Sequence, residues 1–390
     1  MNKEGPAETA NADHSLFPLP VEISSRFPPE LHNYTIDHLH DDRRSLSVCR
    51  LVCWAWYASS TYHLTFRVHR KNFREFCSTI IAEQRINPHI GRLQLESHDN
   101  DERAVSDRIY EFQFNEHLRY LTNLPSVRYL HLSTHIDTVS PSFVSALSQN
   151  FGGVTELHLS NFDFESFAQF LQVREALPLL RCITLVDVWW NDDRYPDVID
   201  DTTPEFKRPA VRTELGQLDK VVIRCIKMTD VLLWLWSHTY IRRLEFGTLR
   251  RRPSHAILLS GILRALGTCL ESLALHEPGY VDLLDFSHSS ALRSVQIPRI
   301  RFLASVAWVP AFLEQLPPSR AQLDRITFNV IAEDFERMSL LDWSRMDEIL
   351  AQDIAVKHVQ FNVAMDRKLS VVVQYIEARL PSRTYTLIVR

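Results

Sequence analysis

The hexapeptide VRYLHL, residues 127–132, carries the pattern from which the fold of this chain can be predicted. Apolar residues occupy its first, fourth and sixth positions, and the same spacing returns as VTELHL at residues 154–159. Residues two apart in a β-strand face the same side, so the fourth and sixth positions point into one core. Each hexapeptide therefore predicts a short strand with a single buried face, and its first residue packs the approach to that strand.

Ten copies of this spacing follow one another, and their first residues are 22 to 38 residues apart. These intervals centre near the period of leucine-rich repeats. The copies are residues 90–95, 127–132, 154–159, 180–185, 218–223, 241–246, 270–275, 292–297, 323–328 and 356–361. Ten copies in order predict a solenoid in which each strand pairs with the strand of the next copy.

The segments between copies carry apolar residues at helical spacing, as in Phe167-Phe170-Leu171 and Val231-Leu232-Leu235. Helices of this kind can cover the buried face of the strand layer. The predicted fold class is therefore α/β, with a curved parallel sheet on the inside and helices on the outside. A conventional α/β domain is the alternative, because intervals of 22 to 38 residues also suit βα units.

A different pattern occupies residues 27–66, FPPELHNYTIDHLHDDRRSLSVCRLVCWAWYASSTYHLTF. Pro28 and Pro29 suit the first turn of a helix, where no N–H partner is needed. Ser45 is the predicted N-cap of a second helix, whose apolar stripe consists of Leu46, Cys49, Val52, Cys53 and Trp56. A third short helix is predicted around Tyr62, Leu64 and Phe66. So small a helical unit needs a neighbour or a partner to be stable, unless it only begins a larger helical core.

This stretch resembles an F-box, the module that docks on the adaptor subunit of SCF-type cullin-RING ubiquitin ligases. The opening motif of the family falls on residues 27–31, its Ile-Asp-His-Leu stretch on residues 36–39, and its Cys-x-Leu-Val-Cys stretch on residues 49–53. The repeats in turn resemble the irregular leucine-rich repeats found behind F-boxes, although the usual asparagine ladder is absent. The resemblance assigns adaptor docking to Pro28, Pro29, Leu31, Ile36, Leu39, Val52, Cys53 and Trp56.

The predicted domain organisation has four parts. Residues 1–22 are expected to form a disordered tail and residues 23–69 the F-box. Residues 70–89 are expected to hold a linker helix, and residues 90–390 the leucine-rich-repeat solenoid.

Two candidate substrate-binding regions follow from the solenoid. Residues at the third, fifth and seventh positions of each copy are expected to point out of the concave face, where Lys220, Arg224 and Arg243 would form a basic patch. Such a patch could bind an acidic or phosphorylated segment, although an ordinary solvated face is the alternative. Trp189 and Trp190 begin an insertion that continues to residue 201, and exposed aromatic residues are frequent binding anchors. They could equally pack against the edge of the solenoid.

Composition narrows the possible classes of protein. The formal net charge of −5 gives no reason to expect nucleic acid or a membrane as a partner. The polar N-terminal residues lack the apolar run of a signal peptide, so a cytoplasmic or nuclear location is expected. Six cysteines without C-x-x-C pairs or zinc spacing predict reduced thiols and no metal site. No catalytic motif is found, so neither enzymatic activity nor a cofactor is expected.

The resemblance implies a substrate-recognition subunit of an SCF-type ligase. Such a subunit has no catalytic residue and acts by holding a target lysine near the ubiquitin-conjugating enzyme. Its expected partners are the SCF adaptor, a cullin reached through that adaptor, and a protein substrate. The alternative is a leucine-rich-repeat interaction scaffold with no ligase role, which would not bind the adaptor.

Overall fold

The computed structural model describes residues 28–82, 87–96, 118, 121, 124–133, 139–190, 217–225, 228–238, 240–247, 253–276, 280–301, 306–316, 323–331, 335–353, 356–364, 369–381 and 385–389. The chain divides into two compact units, Met1–Leu64 and Thr65–Arg390. The division falls after Leu64, whereas the sequence analysis extends the first domain to residue 69. The predicted tail, residues 1–22, lies outside the described residues.

The described part of the first unit contains three helices, which are α1 (Pro29–His38), α2 (Arg43–Cys49) and α3 (Trp54–His63). Helix α1 begins at Pro29, as the proline pair predicts. Helix α3 packs on both α1 and α2. The small core that results consists of Ile36, Leu46, Cys49 and Leu64, together with the buried Ser60 and Thr61.

The predicted second helix is in fact split into two. The cap of α2 is Asp42 and not Ser45, because the Asp42 carboxylate accepts hydrogen bonds from the N–H groups of Arg44 (3.1 Å) and Ser45 (3.0 Å). Hydrogen bonds from the hydroxyl and the N–H of Ser45 hold the pKa of Asp42 below its usual value. Helix α2 then ends at Cys49, and the extended Cys53 precedes α3. Val52 and Cys53 therefore lie in the connection between two helices.

The prediction that Phe66 belongs to a third helix is also wrong. Helix α3 ends at His63, and Phe66 lies on the first strand of the second unit. The reason is the alternation of Phe66 and Val68 with the exposed Arg67, which is a strand period rather than a helical one.

The second unit is built on a parallel sheet in which strand order equals chain order. Its twelve described strands all pair in parallel with their neighbours in sequence. They are β1 (Thr65–His69), β2 (Arg92–Glu96), β3 (Tyr129–Ser133), β4 (Glu156–Phe164), β5 (Cys182–Trp190), β6 (Lys220–Arg224), β7 (Arg243–Phe246), β8 (Ser272–Leu275), β9 (Ser294–Arg301), β10 (Leu323–Ile331), β11 (Val356–Ala364) and β12 (Tyr385–Val389).

The register of the sheet follows the hexapeptide copies residue for residue. Leu93 pairs with Leu130, which pairs with Leu157, so equivalent positions stack from strand to strand. All 30 apolar positions of the ten copies are at most 7% exposed. The outer strands β1 and β12 continue the same register, since Phe66 pairs with Leu93 and Phe361 with Leu387. The hexapeptide pattern does not identify these two strands, because His63 and Ser382 stand where the ten copies have an apolar first residue.

A repeated backbone hydrogen-bond pattern holds successive copies in register. The carbonyl group of the second residue of one copy accepts from the N–H groups of the second and third residues of the next. The Gly91 carbonyl accepts from Arg128 (2.8 Å) and Tyr129 (3.1 Å), and the Arg293 carbonyl accepts in the same way from Asp324 and Arg325. A slip by one residue would break these bonds and turn the apolar face outward.

Eight described helices complete the second unit: α4 (Arg70–Ala82), α5 (Pro141–Phe151), α6 (Phe167–Glu175), α7 (Met228–Trp236), α8 (Pro253–Leu266), α9 (Trp308–Gln315), α10 (Trp343–Glu348) and α11 (Leu369–Arg379). Their apolar residues share one core with the inward-facing strand residues. Helix α4 covers most of the predicted linker helix, but it belongs to this unit, because Phe73, Cys77 and Ile80 are buried in its core.

The described helices pack on one face of the sheet, where their apolar residues share a core with the inward-facing strand residues. Burial alternates along β2, β3 and the first half of β4, with polar side chains on the second face. A doubly wound α/β domain covers both faces and reverses its strand order at the centre of the sheet. The chain is therefore an α/β protein with an all-parallel sheet, and its sequential order is consistent with a solenoid-like fold.

Strands β4 and β5 each contain one residue in the left-handed backbone region, Asn161 and Asp187, both at φ 50°. These residues occupy the same position in their copies, directly after the paired Ser160 and Val186. Each adds one unpaired residue to its strand, as in a β-bulge, so the side chains beyond it change faces. Asparagine and aspartate are among the residues that tolerate this conformation.

We expect Asn161→Val to lower the free energy of unfolding by about 1–2 kcal/mol, because a β-branched side chain is strained in the left-handed region. Asn161→Gly should be near neutral, since glycine adopts this conformation without a Cβ clash. Urea unfolding of both variants measures the difference. Equal stabilities would show that the backbone conformation at this position carries no strain for a β-branched residue.

Candidate functional site

Two surfaces correspond to the predicted sites. The first is the apolar surface of the helical unit, residues 28–64. The second is the open face of the sheet, defined here as the side chains at the third, fifth and seventh positions of each copy, opposite the core.

The residues assigned to adaptor docking divide between surface and core. Leu31 is 48% exposed and Val52 is 59% exposed. Pro28 and Cys53 are also exposed, whereas Leu39 and Trp56 are half-buried. Ile36 is completely buried and so belongs to the core of the helical unit. Pro29 is the first residue of α1, and its side chain lies outside the described part of the structure.

Ile36 is buried because it lies on the face of α1 that packs against α3. On this face the Ser59 hydroxyl donates to Asn33 Oδ1 (2.5 Å), and His63 Nε2 lies 2.7 Å from Asp37 Oδ1. The His32 and Trp56 rings also meet edge to face, with centroids 5.9 Å apart. These contacts fix the helix pair, and they leave Leu31 on the outer side of α1.

Sequence reasoning missed three exposed apolar residues of this unit, Tyr34, Val48 and Leu51, of which Leu51 is 86% exposed. Tyr34 follows Leu31 by three residues and so lies on the same side of α1. Val48 and Leu51 precede Val52 at the end of α2 and in the turn that follows. With Tyr62, the apolar surface thus consists of Leu31, Tyr34, Val48, Leu51, Val52 and Tyr62.

This density of exposed apolar residues distinguishes the two units. The helical unit exposes six large apolar side chains within 37 described residues, whereas the described residues of the far larger second unit expose nine. Single exposed apolar residues are ordinary on a protein surface, so the feature of note is their higher density on the small helical unit.

The open face of the sheet is more basic than the chain as a whole, whose formal net charge is −5. Described lysine and arginine residues at its third, fifth and seventh positions are Arg67, Arg92, Lys220, Arg224, Arg243 and Arg325. The described carboxylates at these positions are Glu96, Glu156 and Glu245. Six cations against three carboxylates give this face a net positive charge.

Glu245 neutralises part of the predicted basic patch. The Arg224 guanidinium donates two hydrogen bonds to Glu245 Oε1, and the one from Nε is 3.0 Å long. His276 Nε2 lies 3.3 Å from the same oxygen. Burial acts to raise the pKa of Glu245, but hydrogen bonds from His276 and Arg224 outweigh it and lower the pKa to about 2. Arg224 is thus already paired within the chain.

Lys220 and Arg243 are the two cations of the predicted patch that form no ion pair with a described residue. They occupy the third positions of β6 and β7 and are register partners, so their side chains emerge next to each other. Both are exposed, and neither makes an ion pair with another described residue. Their neighbours in the same row are the small, uncharged Cys182 and Ser272.

An aromatic and histidine cluster lies at the amino-terminal half of the open face, and sequence reasoning did not single it out. The Arg92 guanidinium lies 4.4 Å above the centre of the Tyr129 ring. His131 stacks on His158 at 4.1 Å, and its Nε2 lies 2.7 Å from the Ser160 hydroxyl oxygen. The available signal was their placement at the third, fifth and seventh positions of adjacent copies.

Both stacked histidines are poor bases. Burial, the neighbouring His158 and Arg67 lower the pKa of His131 to about 4. Burial and Arg224 also lower the pKa of His158. A general base works best with a pKa near the operating pH, so this cluster is suited to hydrogen bonding and packing more than to activating Ser160 at pH 7.

The carboxyl-terminal half of the open face carries a short amide chain. The Gln360 side chain donates to Asn362 (2.7 Å), which in turn donates to Asn329 (2.7 Å). Asn329 and Asn362 are partners in neighbouring strands and occupy the seventh position of their copies. These hydrogen bonds link the side chains of β10 and β11 on the open face.

The two tryptophans at the end of β5 have opposite environments. Trp189 is 39% exposed, whereas Trp190 is 1% exposed and donates its indole N–H to Asp230 Oδ2 (2.6 Å). Of the two alternatives for these tryptophans, exposure holds for Trp189 and packing against the repeat unit for Trp190, because Asp187 adds a residue to the strand and turns Val188 and Trp190 toward the core. The insertion beyond them, residues 191–201, lies outside the described residues.

None of the six cysteines forms a disulfide, and three of them, Cys49, Cys77 and Cys225, are buried. Burial raises the pKa of Cys77 to about 11 and that of Cys225 to about 12, which makes these thiols unreactive. Within the part of the chain that the structure describes, no cluster of three or more potential metal ligands is found. Nor does any described helix combine the length and apolar character that crossing a bilayer requires.

Comparison of the sequence with models of known protein families and with individually curated proteins finds no match.

Proposed function

We propose that this chain is the substrate-recognition subunit of an SCF-type ubiquitin ligase. The helical unit docks on the adaptor, which joins the chain to a cullin, and the open face of the repeat sheet binds a protein substrate. The chain supplies no catalytic group in this proposal. It acts by holding a target lysine near the ubiquitin-conjugating enzyme, which raises the effective concentration of the two reactants.

The concentration of exposed apolar residues on the helical unit is the observation that carries this proposal. Leu31, Leu51 and Val52 stay accessible, although this unit has a core of only a few residues. Leu31 and Val52 are also positions at which the sequence resembles the adaptor-docking residues of F-boxes. Burial of such a surface on a partner is favourable by roughly 25 cal/mol per Å² of apolar area.

The division of the chain supports the same proposal. The helical unit and the repeat unit are separate compact bodies, which suits a protein that binds two partners through two surfaces. The open face offers charged and polar side chains in register across many strands, a large surface on which specific contacts can be arranged. Specificity for one substrate would then reside in side chains and not in the fold.

The test is adaptor binding by a Leu31→Ala/Val52→Ala variant of the full chain. We expect about thirtyfold weaker binding, because complete burial of the exposed half of each side chain on the adaptor contributes about 1 kcal/mol, or about 2 kcal/mol for the two. Both positions are exposed in the free protein, so the fold should be retained. Co-purification with the adaptor and a calorimetric titration measure the loss, and circular dichroism checks the fold.

The matched control is Ile81→Ala/Val371→Ala, which shortens two exposed aliphatic side chains of the repeat unit. This variant should bind the adaptor as the unmodified chain does. Unimpaired binding by Leu31→Ala/Val52→Ala would contradict the docking assignment. If the unmodified chain itself fails to bind the adaptor, the chain acts instead as a repeat scaffold without a ligase role.

A further inference from the structure

Lys220 and Arg243 are exposed cations on adjacent strands of the open face. Neighbouring strands are about 4.8 Å apart, and the two residues are direct register partners, so their charged ends can reach one anionic group together. An ammonium and a guanidinium that share one anion make charge-assisted hydrogen bonds, which are roughly twice as strong as neutral ones. Lysine contributes a mobile point charge, and arginine adds a planar fork of donors.

No described residue makes an ion pair with Lys220 or Arg243, and Glu156 lies two strands away from Lys220 in the same row. Cys182 and Ser272 flank the pair in its own row, and the fifth position of β6 is the buried Val222. The nearest carboxylate along the open face of β6 and β7 is Glu245, which is occupied by Arg224 and His276. The residues around the pair are thus uncharged, and the nearby Glu245 carboxylate is already bound by Arg224 and His276.

We propose that Lys220 and Arg243 bind a carboxylate or phosphate group on an acidic segment of a protein partner. This inference names the class of substrate for the receptor proposed above, and rests on that proposal only in calling the partner a substrate. A protein segment is favoured over nucleic acid because the chain as a whole is acidic and Glu156 interrupts the same row of the open face. With two cations, the site can bind one or two anionic groups of a segment, which is fewer than the regular phosphates of a nucleic acid.

Glu245 sets the strength of this site. Its carboxylate pairs with Arg224, the third cation of the predicted patch, and so competes with a ligand for that guanidinium. Removing the charge of Glu245 should release Arg224 to the ligand and remove a repulsive carboxylate. Glu245 is thus a positioning residue, and its neutralisation should tighten binding.

The experiment uses the purified full chain and fluorescein-labelled peptides, with binding followed by fluorescence anisotropy. The probes are decaglutamate, a serine-glycine peptide with two phosphoserines, and decalysine. Decaglutamate and the phosphopeptide should bind with affinities that fall as salt rises, and decalysine should not bind. The tighter of the two acidic probes identifies the preferred anion, and either order supports the proposal.

Lys220→Glu/Arg243→Glu should weaken binding of both acidic probes about tenfold or more, since attraction becomes repulsion at the site. The matched control is Arg242→Glu/Arg293→Glu, which changes the net charge equally. Those two arginines lie at the second positions of their copies and face Glu271 and Asp324. The control should bind within about twofold of the unmodified chain, because its charges are outside the open face.

Glu245→Gln should tighten binding of the acidic probes roughly twofold to fivefold, as expected for one added cation at a solvated surface. Glu271→Gln removes the same charge from a residue paired with Arg242, outside the open face, and should have no effect. Equal effects of Glu245→Gln and Glu271→Gln would show a general charge effect and overturn the role given to Glu245.

Three results would overturn the proposal. They are no binding of either acidic probe, equal weakening by the two double reversals, and tighter binding of a single-stranded DNA oligonucleotide than of both peptides. The Leu31→Ala/Val52→Ala variant separates this proposal from the ligase function, since it should bind acidic peptides normally. Failure of the adaptor test with retained peptide binding would remove the ligase role alone.

Discussion

Trp190→Ala is expected to lower the free energy of unfolding by about 3–5 kcal/mol, the cost typical of truncating a buried aromatic residue. Trp190 is 1% exposed, its ring centroid is 5.2 Å from that of Phe167, and its indole N–H donates to Asp230. Truncation would leave a cavity at the end of β5 and remove the donor. Urea unfolding followed by circular dichroism measures the effect.

Trp189→Ala is the matched control, because it removes the same side chain from the adjacent residue. Trp189 faces outward, so its loss should change the free energy of unfolding by less than about 1 kcal/mol. Trp190→Phe keeps most of the packing and removes only the N–H donor, for which about 1–3 kcal/mol is expected. Similar losses for the two alanine variants would contradict the assigned orientation of the two rings.

Acidification from pH 7 to pH 5 is expected to destabilise the repeat unit, with about 2 kcal/mol coming from His131 alone. Burial lowers the pKa of His131 to about 4 from the usual 6.5, and burial also lowers the pKa values of His158 and His238. Between about pH 4 and pH 6.5, His131 is protonated in the unfolded chain and neutral in the folded protein. The contribution of His131 to the free energy of unfolding is therefore fully present above about pH 6.5, and it is lost as the pH falls toward 4.

His131→Gln should reduce this pH dependence by up to about 2 kcal/mol over the same range, because glutamine binds no proton. Ser160→Ala removes the hydroxyl 2.7 Å from His131 and keeps the imidazole, so the pH dependence should persist. Urea unfolding at pH 7, 6 and 5 provides the comparison. A His131→Gln variant with the same pH dependence as the unmodified chain would exclude His131 as a source of the acid sensitivity.

Much of the repeat unit could be predicted because its pattern is local and repeated. Three apolar positions in six residues identify a strand with one buried face, and ten consecutive copies predict the order and register of the sheet. The outer strands β1 and β12 could not be found in this way, because His63 and Ser382 occupy the first position of their copies. Their pairing depends on the neighbouring strand, which supplies the hydrogen-bond partners.

The helical unit was less predictable because its boundaries depend on competing local interactions. Both Asp42 and Ser45 are good N-caps, and the choice follows from which side chain reaches the free N–H groups. Leu31 and Ile36 belong to the same apolar pattern, yet one is on the surface and the other is in the core. Periodicity alone cannot separate them, since it identifies a face of a helix and not what covers that face.

The sequence by itself determined that this chain has a helical segment followed by a parallel α/β repeat, because apolar spacing dictates which backbone conformation can bury its side chains. Only the tertiary structure decided which charged and aromatic residues remain available. Asp187 turns Trp190 inward, and Glu245 occupies Arg224 from a separate strand. Such outcomes depend on distances between residues far apart in the chain, and these distances exist only once the strands are paired.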